Sequence, residues 1–366
     1  MSWIATTDLR HPAFNIRGIG VPKDAPDARP PMTRDELLAR GTMLIETRFQ
    51  AEPDRLQHIV TYGRDRGWRR ELAVRLSHGG TLTIAIRQGA AQSVATLRFP
   101  TPPRDTRIRI SYAWDGPARS GRLTVKLPDL SQIYQTRVVD PVPLPAIDVR
   151  VMIRNGNATQ IGPETRFVAF SDRIEPVWLR SGILAGTPVE TVEGPVAVEK
   201  LRLGDMVETA ESGPQPVRFI SARTVPALGG FRPIRLRAPF FGLEQDILVA
   251  PDHRIRLGDD ESVYMLGEDE VLLEARHLVT GRAARRDGKA ALVTYYQVLL
   301  DMHDCLMHGG LWAESLYVPP EARDPDILAS STLADIPPGA IPVHRGFARR
   351  TLADFEARTL AAAIGA

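Results

Sequence analysis

Residues 182–209 read GILAGTPVETVEGPVAVEKLRLGDMVET, and this stretch decides how the second half of the chain is organised. Gly186 allows a sharp bend, because glycine tolerates backbone angles that other residues avoid. The EGP step at 193–195 is a turn signal between two β-branched runs. The GD pair at 204–205 is a second corner, in which the Asp side chain can bond back to its own backbone. The pattern therefore predicts a strand, a turn, a second strand, a tight corner and a third strand.

This spacing resembles the opening block of the Hint family, the module shared by hedgehog autoprocessing domains and inteins. The bacterial form of that family typically reads Cys-Phe-x-x-Gly-Thr, then x-Thr-x-x-Gly, then Val-Glu-x-Leu-x-x-Gly-Asp-x-Val. Each part is present here except the first, because Gly182 stands where the family has its nucleophilic cysteine. The resemblance continues to about Pro319, through ILVAPDHR at 247–254 and VTYYQVLLDMH at 293–303.

The resemblance implies an all-β Hint domain over residues 180–320 and a self-cleavage chemistry. In an active member a cysteine thiol attacks the carbonyl just upstream. A histidine in a Thr-x-x-His turn then hydrogen-bonds the scissile amide nitrogen and helps it leave. The corresponding positions here are Gly182 for the cysteine, Ala250 for the threonine, His253 for the amide-binding histidine and His303 for a downstream histidine.

Two positions, one of them outside this set, predict that the chemistry has been lost. Gly182 has no side chain with which to attack, and Ala313-Glu314 replaces the terminal His-Asn pair of inteins. No Asn follows Asn157, so Asn cyclisation is impossible within this domain. The sequence therefore predicts a Hint domain that no longer cleaves itself and acts as a binding or scaffold module. His253 then has a second interpretation, as a ring kept for its hydrogen bonds in a tight turn after Pro251.

Residual self-cleavage is the alternative from the enzyme class, using Ser181 or a water activated by His253. A hydroxyl replaces the thiol in some splicing elements, and Ser181 lies one residue upstream of the family position. A one-residue slip in a strand points the side chain to the opposite face, which disfavours Ser181. Cys305 is a weaker candidate still, because it sits in an apolar run where a thiol behaves as a small hydrophobe.

The sequence predicts neither a cofactor nor a metal site. The lone Cys305 rules out an internal disulfide and any site with several cysteine ligands. His303 and His308 are five residues apart, and side chains at that spacing on a strand face opposite sides.

The first half of the chain shows a different pattern, with apolar residues at every second position. Many short strands at such intervals, separated by turns, indicate a β-sandwich in which one face of each strand is packed. Their order resembles a concanavalin A-like jelly roll, as in lectins and laminin-G modules. The alternating runs are 43–49, 58–62, 71–76, 81–86, 94–99, 107–112 and 122–127, and a run at 167–174 returns to the sandwich.

A carbohydrate-binding role for this sandwich is the second alternative, because sugar sites need aromatic platforms beside convergent polar groups. The candidate residues are Trp114, Asp115 and Trp68. The competing interpretation is that Trp114 packs inside the sandwich and Trp68 covers a loop. No pair of carboxylates of the kind a glycosidase needs stands out.

Composition is that of a globular protein, with 43% hydrophobic and 25% charged residues. The net charge of +2 gives no reason to expect nucleic acid as a partner. No apolar run is long enough to cross a membrane, and no signal-peptide pattern stands near the start. The expectations are cytoplasmic residence by default, with signal-less secretion open, and an unidentified partner, for which a glycan and a protein are the candidates.

The predicted organisation has four parts. Residues 1–40 are expected to be an extended surface arm with a short helix near Thr33, and residues 41–175 a concanavalin A-like β-sandwich. Residues 180–320 are expected to be the Hint domain, and residues 321–366 a tail. In that tail an amphipathic helix is predicted, with four apolar side chains on one face. These are Leu352, Phe355, Leu360 and Ile364.

Overall fold

The structure is a computed structural model, and it describes residues 3–22, 36–51, 56–177, 181–258 and 260–364. The chain divides into two compact units, residues 1–177 and residues 178–366. Both are built mainly from antiparallel strands, which confirms the predicted mainly β fold class. Among the described residues, no helix is long and apolar enough to cross a membrane.

The first unit contains fourteen strands and one α-helix among its described residues. Most of the alternating runs predicted from the sequence lie on its longer strands. The elements are β1 (Trp3–Thr7), β2 (Ala13–Phe14), β3 (Leu37–Leu38), β4 (Arg40–Phe49), β5 (Leu56–Arg64), β6 (Arg70–Ser77), β7 (Thr81–Gln88), β8 (Ala91–Arg98), β9 (Thr106–Asp115), β10 (Ser120–Leu127), β11 (Gln132–Val139), β12 (Leu144–Pro145), α1 (Ala146–Met152), β13 (Thr159–Ile161) and β14 (Thr165–Ser171).

Two sheets of this unit form the predicted sandwich. The larger has the strand order β11-β10-β9-β4-β14-β1-β2, and the smaller has the order β13-β5-β6-β7-β8. Alternating side chains from both sheets, such as Ile45, Leu72 and Ile110, are fully buried in one hydrophobic core. The run at 167–174 returns to the sandwich as predicted, since β14 lies between β4 and β1.

The N-terminal arm differs from its prediction. Trp3–Thr7 is a buried strand that pairs with β14, not an extended segment on the surface. The physical reason is its run of apolar residues, of which Trp3 and Ile4 are fully buried and outweigh the Pro-rich residues that follow. Thr33 lies outside the described residues, and the Leu37–Leu38 pair that would continue its helix forms strand β3.

The second unit contains fifteen strands and three short α-helices among its described residues. They are β15 (Ile183–Leu184), β16 (Pro188–Thr191), β17 (Gly194–Ala197), β18 (Met206–Val207), β19 (Gln215–Pro216), β20 (Phe219–Pro226), β21 (Ile234–Leu236), β22 (Ile247–Val249), β23 (Arg254–Leu257), α2 (Asp260–Leu266), β24 (Val271–Glu274), β25 (Ala284–Arg286), β26 (Leu292–Leu299), β27 (Cys305–His308), β28 (Leu311–Glu314), α3 (Pro325–Leu328), β29 (Arg350–Thr351) and α4 (Asp354–Ala363).

Three sheets surround the core of this unit, with strand orders β20-β26-β15-β22-β21-β25, β17-β16-β18-β19 and β27-β28-β23-β24-β29. The turns predicted in residues 182–209 are present. Gly186 has a φ of 82°, which favours glycine. Asp205 bonds back to the chain by accepting a hydrogen bond from the backbone N–H of Arg202 at 2.7 Å.

The C-terminal residues belong to this second core. Strand β29 pairs in parallel with β24, and the predicted helix is α4, whose Ala357, Leu360 and Ala361 are buried. Leu352 and Ile364 pack against the same core. Phe355 contradicts the predicted apolar face, because 72% of it is exposed. The buried face of α4 is made by two alanines and a leucine, so this phenylalanine at the start of the helix falls outside it.

Candidate active site: a peptide bond held by histidine and glutamine

The peptide bond between Ser181 and Gly182 lies at the entry to β15, where two neighbouring strands fix the backbone. Ile183 pairs with Val249 of β22 on one side and with Tyr296 of β26 on the other. The carbonyl oxygen of Gly182 accepts a hydrogen bond from the backbone N–H of Ala250 at 2.8 Å. These pairings hold the bond in one place, as a site of self-cleavage requires.

His253 binds the nitrogen of this peptide bond. The backbone N–H of His253 closes a tight turn onto the carbonyl of Ala250 at 3.0 Å. Its ring then accepts a hydrogen bond at Nδ1 from the backbone N–H of Gly182, at 3.3 Å. This is the contact that the family resemblance implies for the histidine.

The same hydrogen bond sets the protonation of the ring. Because Nδ1 of His253 accepts, the proton of the neutral ring is on Nε2. That Nε2 is buried and has no hydrogen-bond partner among the described residues. Burial lowers the pKa of His253, despite the Glu314 carboxylate, whose Oε1 lies 3.8 Å from Nδ1. The ring is therefore neutral and carries no proton on the side that faces the amide.

Gln297 holds the other end of the bond, and the sequence reasoning did not single it out. Its Nε2 donates to the carbonyl oxygen of Ser181 at 3.1 Å and to the hydroxyl oxygen of the same residue at 3.2 Å. A donor on a carbonyl oxygen is the kind of group that stabilises an oxyanion. The signal available in the sequence was an amide at a buried position of an alternating strand, between Tyr295 and Leu299 of β26.

Gly182 itself has no room for a side chain. Its φ is 130°, a backbone conformation that L side chains rarely adopt. A Cβ built there would lie 2.9 Å from Cβ of Tyr295 and 2.9 Å from the carbonyl oxygen of Tyr296. Both neighbours belong to the middle of β26, so neither can move without disturbing the sheet.

The position that carries threonine in the family is occupied by Ala250, which is 3% exposed. Its methyl group offers no hydrogen bond to the peptide bond. The small cavity beside the bond has a volume of about 10 Å³ and is lined by Ser181, His253 and Gln297 among others. A cavity of this size holds about one water molecule.

Glu314 forms a buried charge centre next to His253. Its Oε1 accepts a hydrogen bond from the backbone N–H of Arg254 at 3.0 Å, and its Oε2 accepts one from Nη1 of the same arginine at 2.9 Å. Burial alone would raise the pKa of this carboxyl, but the positive charge of Arg254 is the largest opposing effect, and the pKa is lowered to about 2. The guanidinium of Arg254 also lies 4.5 Å from the ring centre of Phe347.

His303 lies beside this charge centre rather than at the peptide bond. Its Nδ1 accepts from the backbone N–H of Ala348 at 3.0 Å, and its Nε2 lies 3.8 Å from Oε2 of Glu314. The structure therefore brings together Ser181, Gly182, Ala250 and His253, and places His303 behind Glu314.

Two other candidate side chains from the sequence, those of Cys305 and His308, are also buried in the second unit. Burial raises the pKa of Cys305 to about 12, so its thiol stays protonated at neutral pH. His308 donates from Nδ1 to the carbonyl of Pro188 at 2.9 Å, and burial lowers its pKa to about 4. In the part of the chain that the structure describes, no group of three or more His, Cys, Asp or Glu side chains is arranged to hold a metal ion.

The sugar-binding candidates of the first unit do not form one site. Trp114 is fully buried, and its indole N–H donates to the carbonyl of Leu38 at 2.7 Å, so it cannot serve as a sugar platform. Asp115 is bound by Arg40 and by the backbone N–H of Ala118. Trp68 is 43% exposed, and the guanidinium of Arg70 lies 4.7 Å from its ring centre.

A comparison with protein families matches a model described as the Hint domain to residues 182–320. These residues are a Hint domain. The match begins at Gly182, the residue that donates to His253, so the glycine stands at the first position of the family block. The match ends at residue 320, before α3, and residues after it contribute to the hydrophobic core of the second unit.

Comparison with solved structures gives matches of low similarity. The carbohydrate-binding module CBM40 of a Ruminococcus gnavus sialidase is 9% identical with a TM-score of 0.28, over 37% of this chain and 77% of that one. A basic winged bean lectin is 13% identical with a TM-score of 0.21, over 37% and 60%. The LG1-3 region of the laminin α2 chain is 11% identical with a TM-score of 0.25, over 79% and 55%. No curated protein matches the sequence.

Proposed function

We propose that the Hint domain of this protein does not cleave its own chain, and that the protein acts as a scaffold or binding protein whose two units remain covalently joined. One observation carries the proposal. At the position of attack the chain has Gly182, with a backbone conformation and neighbours that leave no room for a side chain.

The chemistry of an acyl shift explains why this matters. A thiolate or alkoxide must form a bond to the carbonyl carbon of Ser181, the C–N bond must break, and the nitrogen of Gly182 must receive a proton. Gly182 supplies no attacking atom. His253 accepts the N–H of Gly182 through an Nδ1 that carries no proton. Its pKa is lowered by burial, so the ring offers the leaving nitrogen no proton at neutral pH.

Ser181 does not replace the missing nucleophile. Its hydroxyl is attached to the residue that carries the scissile carbonyl, and attack on that carbonyl would close a strained four-membered ring. Attack on the preceding carbonyl would break a different bond, whose leaving nitrogen is that of Ser181. His253 binds the nitrogen of Gly182 instead, one residue further along the chain. The hydroxyl oxygen also accepts a hydrogen bond from Gln297.

The cavity beside the bond supports a structural role for this part of the domain rather than ligand recognition. Its volume of about 10 Å³ admits a water molecule but no side chain of a partner. The retained histidine contact then serves the fold, since it satisfies the buried N–H of Gly182.

Intact mass spectrometry of the purified full-length chain tests the proposal. The protein is incubated with dithiothreitol and, separately, with hydroxylamine, which would trap an ester or thioester as a hydroxamate. We expect a single full-length species under each condition. The matched control is the variant His253→Ala, which should behave identically. Fragments that end at Ser181 in the parent protein and disappear in His253→Ala would overturn the proposal in favour of residual self-cleavage.

A further inference from the structure

A second cleft in the second unit is far larger than the cavity at the Ser181–Gly182 bond. Its volume is about 510 Å³, which is within the usual range of small-molecule sites. It is lined by the loop at Phe240 and Phe241, by strands β23 and β28, and by Ile364 after the end of α4. No part of the proposed loss of self-cleavage involves it.

Three of the residues that line this cleft are aromatic, and arginines contact the rings of two of them. The guanidinium of Arg256 lies 5.0 Å from the ring centre of Trp312, and that of Arg282 lies 5.5 Å from the ring centre of Phe240. Such cation–π contacts fix the orientation of a ring while leaving the rest of its surface available. Trp312 and Phe240 are both partly exposed.

The charged side chains at the cleft carry one positive charge in excess, and this charge is that of Arg282. Arg256 is 3.1 Å from Glu270, and Arg349 is 3.0 Å from the same carboxylate. Both arginines also pair with Glu211, so that two positive and two negative charges offset one another. Arg282 is exposed, and no carboxylate of the described residues forms an ion pair with it.

The loop that carries the two phenylalanines has a strained backbone where it lines the cleft. Phe241 has a φ of 58°, which is unfavourable for a bulky side chain. The next residue, Gly242, packs so closely against Gly310 that a Cβ on Gly310 would lie 2.0 Å from its carbonyl oxygen. Strained backbone of this kind persists only where the surrounding structure enforces it, and it is concentrated at binding sites.

We propose that this cleft binds a small, planar, apolar molecule that carries a carboxylate. Arg282 pairs with the carboxylate, because guanidinium and carboxylate groups match in geometry and charge. The rings of Phe240 and Trp312 pack against the flat, apolar part of the ligand. A neutral ligand of the same shape would leave the charge of Arg282 unused, and a cation would be repelled by it.

Calorimetric titration of the full-length protein tests this with two probes of equal shape, indole-3-carboxylate and indole-3-carboxamide. We expect saturable binding of the acid, with the amide at least about tenfold weaker, since a hydrogen bond to a charged group contributes that much. In the variant Arg282→Gln the affinity for the acid should fall to that for the amide. The matched control is Arg285→Gln, an exposed arginine on β25 outside the cleft, which should change neither affinity.

A second variant checks the ring contacts. Phe240→Leu keeps an apolar side chain but removes the flat surface, and it should weaken both probes by a similar factor. The proposal is overturned if the acid shows no saturable binding, if acid and amide bind equally to the parent protein, or if Arg282→Gln binds the acid as tightly as the parent does.

Discussion

The side-chain amide of Gln297 lies 3.1 Å from the carbonyl oxygen of Ser181, in the position of a donor that would stabilise an oxyanion. His253 binds the nitrogen on the other side of the same peptide bond. Both polar atoms of the bond are thus held as in a site of acyl transfer. The attacking atom is missing, and the backbone conformation and close neighbours of Gly182 leave no room for a side chain that could supply it.

A single substitution should therefore not restore cleavage. In Gly182→Cys the new Cβ would lie 2.9 Å from two atoms of β26, so the chain must shift, and a shift would disturb the 3.3 Å hydrogen bond to His253. We expect no fragments on incubation with dithiothreitol, measured by intact mass. Fragments that appear in Gly182→Cys and vanish in the double variant with His253→Ala would show that the site still accommodates a thiol.

The steric effect of a side chain at Gly182 can be measured separately from the effect of the backbone conformation there. Gly186 has a φ of 82° but no atom within 4 Å of an added Cβ, whereas Gly182 has both an unusual φ and close neighbours. Gly186→Ala should lower the free energy of unfolding by about 1–2 kcal/mol, the conformational cost alone. Gly182→Ala should cost about 1–3 kcal/mol more, because it also overpacks the site. Urea denaturation, with hydrogen exchange in β15 and β26 as the local readout, measures both, and equal losses would contradict the predicted clash.

Glu314 should make the stability of the second unit depend on pH in the acid range. Its pKa is lowered from 4.5 to about 2 in the folded chain, so the folded state holds its proton less tightly than the unfolded state does. Its contribution is then fully present above pH 4.5 and is lost as the pH falls through about 2. In Glu314→Gln this dependence should be absent, so that stability changes less over this window.

The same variant should be less stable at neutral pH, by about 3–5 kcal/mol, because the buried guanidinium of Arg254 loses its charged partner. The control is Glu193→Gln, an exposed carboxylate in the β16–β17 turn, which should leave stability at neutral pH unchanged. Urea denaturation at a series of pH values measures both effects. A Glu314→Gln protein with parental stability would mean that the charge of Arg254 is satisfied by other groups.

Cys305 should be unreactive in the folded protein. Its thiol is 1% exposed, and burial raises its pKa to about 12, so almost no thiolate forms near neutral pH. We expect no reaction with a disulfide reagent under native conditions and complete reaction of one thiol in urea. Because the chain has a single cysteine, the released chromophore reports on this residue alone. Reaction at the same rate in both conditions would show that β27 opens readily.

The sequence was most informative where a local pattern determines the structure. Period-two alternation predicted the sandwich strands. The spacing of residues 182–209 carried the resemblance to the Hint family, and that resemblance implied the contact of His253 with the nitrogen of the Ser181–Gly182 bond. The sequence was least informative where a contact between distant segments of the chain determines the structure. Gln297 acts on Ser181 across 116 positions, and no local pattern of β26 reveals that partner.

The predictions for Trp3–Thr7 and for Phe355 were wrong. A five-residue strand becomes central only because β14, more than 150 residues away, pairs with it. The prediction placed Phe355 on the face of Leu360, but residues five apart lie about 140° apart around a helix, so the ring of Phe355 lies in solvent while Leu360 is buried.

Shortening a side chain to alanine should therefore affect stability very differently on the two sides of α4. Leu360 is fully buried in the core of the second unit, and Leu360→Ala should lower the free energy of unfolding by about 2–5 kcal/mol through the cavity it leaves. Phe355→Ala removes a larger side chain from a position that is 72% exposed, and it should change stability by no more than about 0.5 kcal/mol. Both substitutions introduce the same alanine into the same helix, so helix propensity contributes little to the difference. Urea denaturation of the two variants measures it, and a loss for Phe355→Ala as large as that for Leu360→Ala would mean that the exposed ring is covered in solution.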